Sequence, residues 1–279
     1  VGRVFLGINT DCISCHDGAG HIEEVDLYMS TKTRDDFYRH SAFLGGTRII
    51  TTWDDRAKNV GVNDMIVDDT AKGYDTDDDA PYWTLSESRV PRNGGAFTPA
   101  FLLTGEEPRP GMNPRAELAR MLTEHIQFGR ATVNLIWGKL MTVPFVAPYD
   151  GFDLSRLDPD NPPPAPLKIQ PTNPELLNAL AEDFMANGYS IHRLMKTILK
   201  SSAYQLSSEW DGEPDGSHTS YYPRRFPRVL TGPEVVDAIG RATARPFQFA
   251  FGDTEVTRVK QLAMPSNVGG RRGGGEGAE

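Results

Sequence analysis

The densest chemistry in the chain lies in Cys12-Ile13-Ser14-Cys15-His16, a C-x-x-C-H run that is the pattern of covalent c-type haem attachment. Two thiols three positions apart can reach the two vinyl groups on one porphyrin edge and form thioethers. The imidazole directly after the second thiol then falls under the iron as the proximal axial ligand. Two other uses of such a run are weighed against this one. A C-x-x-C redox pair is expected beside a βαβ pattern, which the sequence lacks. Zinc normally takes four protein ligands, and Cys12 and Cys15 are the only cysteines in the chain.

One axial position is assigned by the motif to His16, and the other must come from elsewhere. The candidates are His40, His21, Met29, Met121 and His125, a residue from a neighbouring chain, or an open site. His21 is five residues from His16 and would have to wrap round the porphyrin edge, so it suits a neighbouring haem or a propionate better. His40 has more intervening chain and a helix to hold it, and it ranks first. Met29 and Met121 are read as core fillers, and His125 and His192 as structural.

The elements that must position these groups follow in order. Thr31 to Leu44 reads as a helix with Thr33 as N-cap and Asp35 and Asp36 in its first turn. Phe37, His40, Ala42, Phe43 and Leu44 fall along one side, and Gly45-Gly46 end it. Ile49 to Trp53 and the stretch Val60, Val62, Ile66, Val67 are β-formers between turn residues, so a small antiparallel sheet is expected. Asp75, Asp77, Asp78 and Asp79 have the D-x-D spacing of a calcium loop. Ala80 stands where glycine is needed and Ser86 where glutamate is, so a solvated acidic turn is the expectation over calcium.

Residues 91–112, rich in Pro and Gly, read as a linker. Asn113-Pro114 opens a helix with Leu118, Met121, Leu122, His125 and Ile126 on one face, and Ala131 to Met141 continue as an apolar helix. Pro144 to Pro171 is expected to be irregular chain over the surface. Further helices open at Asn173-Pro174, closing at Gly188, at Ser190, and at Gly232-Pro233. The fold class is therefore mainly α with a small antiparallel β insertion. It divides into a haem-binding segment (1–46), a β-rich insertion and linker (47–112), a helical domain (113–262) and a Gly-rich tail (263–279).

Composition narrows the setting. A formal net charge of -9 argues against nucleic acid or an anionic membrane as partner. No apolar run is long enough to span a bilayer, and no signal peptide is visible. The opening Val1-Gly2-Arg3-Val4-Phe5-Leu6-Gly7 reads like the middle of a fold, which suggests processing or an omitted upstream segment. Covalent haem attachment is usually completed outside the cytoplasm, so an extracytoplasmic location is expected.

The run from Phe5-Leu6-Gly7 through the C-x-x-C-H motif, with Asp36-Phe37-Tyr38 and Ala42-Phe43, resembles the planctomycete-type cytochrome c-like domain. The later half resembles the helical domain of unknown function that commonly follows it. That likeness rests on Asn113-Pro114-Arg115, Ala131-Thr132-Val133-Asn134-Leu135-Ile136-Trp137, Pro171-Thr172-Asn173-Pro174-Glu175-Leu176-Leu177 and Ser201-Ser202-Ala203-Tyr204-Gln205. The resemblance implies a bacterial surface c-type cytochrome and supplies no substrate. Many relatives place a histidine two positions after the motif histidine. This chain has Gly18 there, so no distal ligand carries over.

Three functional readings follow. The first is a monohaem electron-transfer protein serving redox partners. The second is a subunit of a homopolymer with regularly spaced haems, built through the Pro-rich arm and Gly-rich tail. The third is a peroxidase-like haem enzyme with an open distal site. The sequence has no Arg-His peroxidase pairing, Ser-His-Asp arrangement or phosphate loop, which favours a non-enzymatic role.

Overall fold

A computed structural model describes residues 1–55, 57, 63–68, 74–75, 96–209, 216–245, 249–251 and 254–256. Val60, Val62, the calcium-like stretch from Asp77 to Ser86, most of the acidic loop, and the Gly-rich tail lie outside the described residues. The architecture is mainly helical with a small antiparallel sheet, as the patterning predicts. Residues Val1–Pro227 form one compact unit and Arg228–Glu279 a second.

In the first unit the helices are α1 (Leu27–Ser30), α2 (Arg34–Ala42), α3 (Pro114–Glu124), α4 (Ile126–Met141), α5 (Pro174–Ala186) and α6 (Ile191–Lys200). Most of their starts are set by side chains that satisfy the free N–H groups of a first turn, α5 being an exception in which Asn173 makes no cap bond. Thr33 and Asp36 form a reciprocal capping box on α2. Asn113 caps α3 through the Ala116 N–H, and Ser190 caps α6 through the Arg193 N–H. The break between α3 and α4 is a departure from the sequence expectation, which ran His125 and Ile126 on along the first helix. His125 is extended there, and its Nδ1 accepts from the Gln127 N–H at 3.1 Å, so an imidazole acts as the cap of a new helix.

The strands β1 (Thr47–Thr52) and β2 (Asn63–Asp68) pair antiparallel with Ile49 opposite Ile66 and Ile50 opposite Met65. A second short pair joins β3 (Tyr74–Asp75) to β4 (Ala96–Phe97). Asp68, at the end of β2, ties the first hairpin to α3. It accepts from Thr47, Asn113 and both Nε and Nη2 of Arg115, and these donors hold its carboxyl well below the usual range, with Arg115 first among them.

One continuous core runs through the unit. Leu6, Ile8 and Ile13 from the N-terminal segment join Phe43, Phe101, Leu118, Val133, Trp137, Phe152, Leu177 and Ile198, and each such side chain contributes about 1.5–3 kcal/mol by leaving water. Two stretches do more than the sequence suggests. The middle of the presumed linker places Ala100, Phe101 and Leu102 in this core, and the proline-dense stretch, irregular as expected, buries Phe145, Val146 and Phe152. Glu117, 1% exposed on α3, is answered by Arg109 through two guanidinium nitrogens and by Arg120.

Polar contacts also join the N-terminal segment to the helices. Gln127 donates through Nε2 to the Leu6 carbonyl at 2.8 Å. The Phe152 N–H bonds the Gly7 carbonyl at 3.0 Å. Gly7 has φ 64, and a Cβ there would press into the Phe152 ring, so glycine is required twice over. Asp153, buried, accepts from the N–H groups of Leu27 and Tyr28 and so caps α1 from 126 positions away.

The second unit holds α7 (Gly232–Thr243) and the hairpin of β5 (Phe249–Phe251) and β6 (Thr254–Val256). Thr231 and Glu234 form a capping box on α7, and Arg228 grips Glu234 with both terminal nitrogens.

Candidate functional site

The motif occupies a 3-10 turn, Cys12–Ser14, followed at once by Cys15 and His16. Its alternation of exposure is set by packing. Ile13 and Ser14 are fully buried, anchoring the turn, while Cys12 and Cys15 are free thiols on the outside. Ser14 Oγ donates to the Asp11 carbonyl at 2.6 Å, which fixes the turn from within. The turn packs against α2, the helix that carries His40.

His16 lies in hydrogen-bond range of a backbone carbonyl: Nδ1 is 2.7 Å from the Asp17 oxygen. A carbonyl only accepts, so Nδ1 holds a proton, and in the neutral ring Nε2 keeps its lone pair. That is the tautomer a metal-ligating imidazole needs, with its other nitrogen donating to a carbonyl. Two exposed thiols and an imidazole with a free Nε2 on one turn thus have the chemistry that c-type haem requires of a protein.

His21 is exposed, and its ring centre lies 4.7 Å from that of His16. Two imidazoles on opposite sides of one metal ion keep their centres about 6 Å apart, since each metal–nitrogen bond is about 2 Å. The spacing of His16 and His21 is too short for a trans pair. Gly18 packs under α1: a Cβ there would collide with the Met29 carbonyl oxygen. A histidine at that position would displace α1, which accounts for the departure noted at Gly18.

His40 is 7% exposed on α2, flanked by the rings of Phe43 and Phe101. Burial pushes its pKa down to about 4, so the ring is neutral at physiological pH. Nδ1 accepts a long hydrogen bond, 3.4 Å, from the Leu102 N–H, and Nε2 is buried without a partner. In this arrangement the proton sits on Nε2, and ligation would require the weak Leu102 bond to be given up. Met29 and Met121 lie in the core, and His125 caps α4. Among the described residues no three His, Cys, Asp or Glu side chains converge as a metal-ion site. No helix there is long and apolar enough to cross a membrane.

Residues 114–262 match the PSD1 family, described as a protein of unknown function (DUF1553), over slightly more than half of the chain. The chain belongs to the DUF1553 family. No curated protein and no solved structure matches it.

In this DUF1553 protein the segments quoted above for the helical half are architectural. Asn134 and Trp137 fix the chain after α4, and Asn173 Nδ2 donates to the Ser220 carbonyl at 3.0 Å. A pocket of about 470 Å³ lined by Tyr28, His125, Gln127 and Arg130 was missed at the sequence level. A lone amide and a lone arginine on a helix have no spacing that would single them out.

Proposed function

We propose that this DUF1553 protein is a monohaem c-type cytochrome that transfers electrons outside the cytoplasm. The observation that carries the reading is the His16 Nδ1 contact with the Asp17 carbonyl beside two free, exposed thiols on one turn anchored by buried Ile13 and Ser14. Cys12 and Cys15 would hold the haem through thioethers, and His16 Nε2 and His40 would be its protein ligands. A haem held there would supply a one-electron iron couple.

The protein's own residues do the rest. Phe43 and Phe101 keep water from His40, and burial keeps that ring unprotonated. With two protein ligands holding the haem, no site would remain for a substrate, and the partners would be redox proteins or further copies of the chain. The motif type supports an extracytoplasmic location, where such attachment is completed.

The Leu102 N–H bond to His40 Nδ1 favours a second reading. A proton on Nε2 would make His40 a polar distal group above an open position, as in a haem enzyme. One preparation decides both points. Protein exported with c-type maturation should give a pyridine haemochrome spectrum whose colour survives acid-acetone extraction. Colourless protein, or colour that extracts, overturns the haem reading. A low-spin spectrum indifferent to carbon monoxide and cyanide supports electron transfer, and rapid binding of either supports the enzyme.

A further inference from the structure

The hairpin of β1 and β2 carries its apolar residues outward. Ile49 is 68% exposed, and Ile66, directly across from it, is 59% exposed. Ile50 and Met65 form the next pair, on the opposite face of the ribbon, and both are exposed as well. The sheet has two strands, and no third strand among the described residues pairs with either. A two-stranded ribbon with bare apolar pairs on both faces is marginal in water, and a further strand is what stabilises it. Alternate residues of each strand turn their N–H and C=O groups away from the other, so an outer edge is a template for pairing.

The two edges differ in charge. β2 reads Asn63-Asp64-Met65-Ile66-Val67-Asp68, with a carboxylate near each end. Laid antiparallel on a second copy of itself about Ile66, it sets Asp64 opposite Asp68 of that copy. Laid about Met65, it sets Asp64 opposite Ile66. Either arrangement is disfavoured. Asp68 is moreover held to α3 by Arg115 and Asn113. β1 reads Thr47-Arg48-Ile49-Ile50-Thr51-Thr52, β-branched throughout except at Arg48 and free of carboxylates. Laid antiparallel on a second copy about Ile49, it sets Ile49 against Ile49, Thr47 against Thr51 and Arg48 against Ile50. No like charges stand opposite one another, and Ile66 and Ile49 of both copies fall in one row across one face.

We propose that β1 is the contact edge of a two-fold dimer, in which two copies of the chain join their hairpins into a four-stranded antiparallel sheet centred on Ile49. An edge used in the same way by both copies closes the assembly at two. A strand of 6 residues buries less than a standard interface, so the dimer is weak and reversible. The inference does not rest on the haem reading.

Sedimentation velocity of the full chain over about 1 to 100 μM tests it, with or without haem colour in the preparation. A reversible monomer–dimer equilibrium is expected. Ile49→Lys and Ile49→Glu should each weaken the dimer at least about tenfold, because each sets like charges face to face across the two-fold axis. Position 49 is exposed, so neither change reaches the core. An equimolar mixture of the two variants should dimerise again, since lysine then faces glutamate. A chain that stays monomeric throughout that range overturns the proposal and leaves the edge to a strand of another protein. It is also overturned if either variant alone dimerises as the parent does, or if the mixture stays monomeric.

Discussion

Asn134 makes both hydrogen bonds of a β-bridge to Val146: its Nδ2 donates to the Val146 carbonyl at 2.9 Å, and its Oδ1 accepts from the Val146 N–H at 3.0 Å. Both residues are buried, so this amide substitutes for the strand partner that the irregular chain after α4 lacks. Asn134→Ala would leave a backbone donor and acceptor unpaired at about 1–3 kcal/mol each. A loss of roughly 2–5 kcal/mol in urea unfolding is expected, with the m-value unchanged. A loss below about 1 kcal/mol would show that water replaces the amide.

Trp137 and Tyr222 extend the same device. Trp137 Nε1 donates to the Tyr222 hydroxyl at 2.8 Å, that hydroxyl donates to the Val143 carbonyl at 3.0 Å, and the indole stacks on Phe145. Tyr222→Phe removes one partner from each bond and keeps the packing. A destabilisation of about 1–3 kcal/mol is expected, with a change in tryptophan fluorescence reporting the freed indole N–H.

Asp26 makes stability depend on pH. Burial, reinforced by the neighbouring Asp153 carboxylate, raises its pKa from 3.8 to about 6. Between those values the folded chain holds a proton that the unfolded chain has released, so stability falls as pH rises through that window and stays lower above it. After allowance for its partial exposure the cost is about 1–2 kcal/mol. Asp26→Asn keeps an acceptor for the Met29 N–H that Asp26 caps. The variant should melt higher than the parent at pH 8 and nearly equal to it at pH 4. A gain that is the same at both values would rule the carboxyl out as the cause.

What was legible in the sequence was what is local. The caps Thr33, Asn113 and Ser190 announce themselves because the bonding atom and its N–H partner lie within three residues. Cys12, Cys15 and His16 are legible for the same reason. His125 was missed as a cap because imidazole seldom serves as one. Phe145, Val146 and Phe152 sit in chain without periodicity, and their burial depends on Asn134 and on the Gly7 carbonyl, partners that no short window contains.

In the proposed cytochrome His16 and His40 would be the two protein ligands of the haem, a division that spectroscopy can test. If His40 is the second ligand, His40→Ala converts a low-spin spectrum to high-spin and opens the haem to cyanide, and His21→Ala leaves it low-spin, because the 4.7 Å spacing of His21 from His16 is too short for a trans pair. His40→Met should restore six-coordination with a higher reduction potential, since a thioether ligand favours the reduced iron relative to imidazole. The pH dependence has a definite sign. A ring whose pKa burial pushes down to about 4 gains no proton until well below neutrality, so the low-spin spectrum should persist from pH 8 to about 5 and fail only below that. Loss of the low-spin bands well above pH 5 would count against His40 as the second ligand.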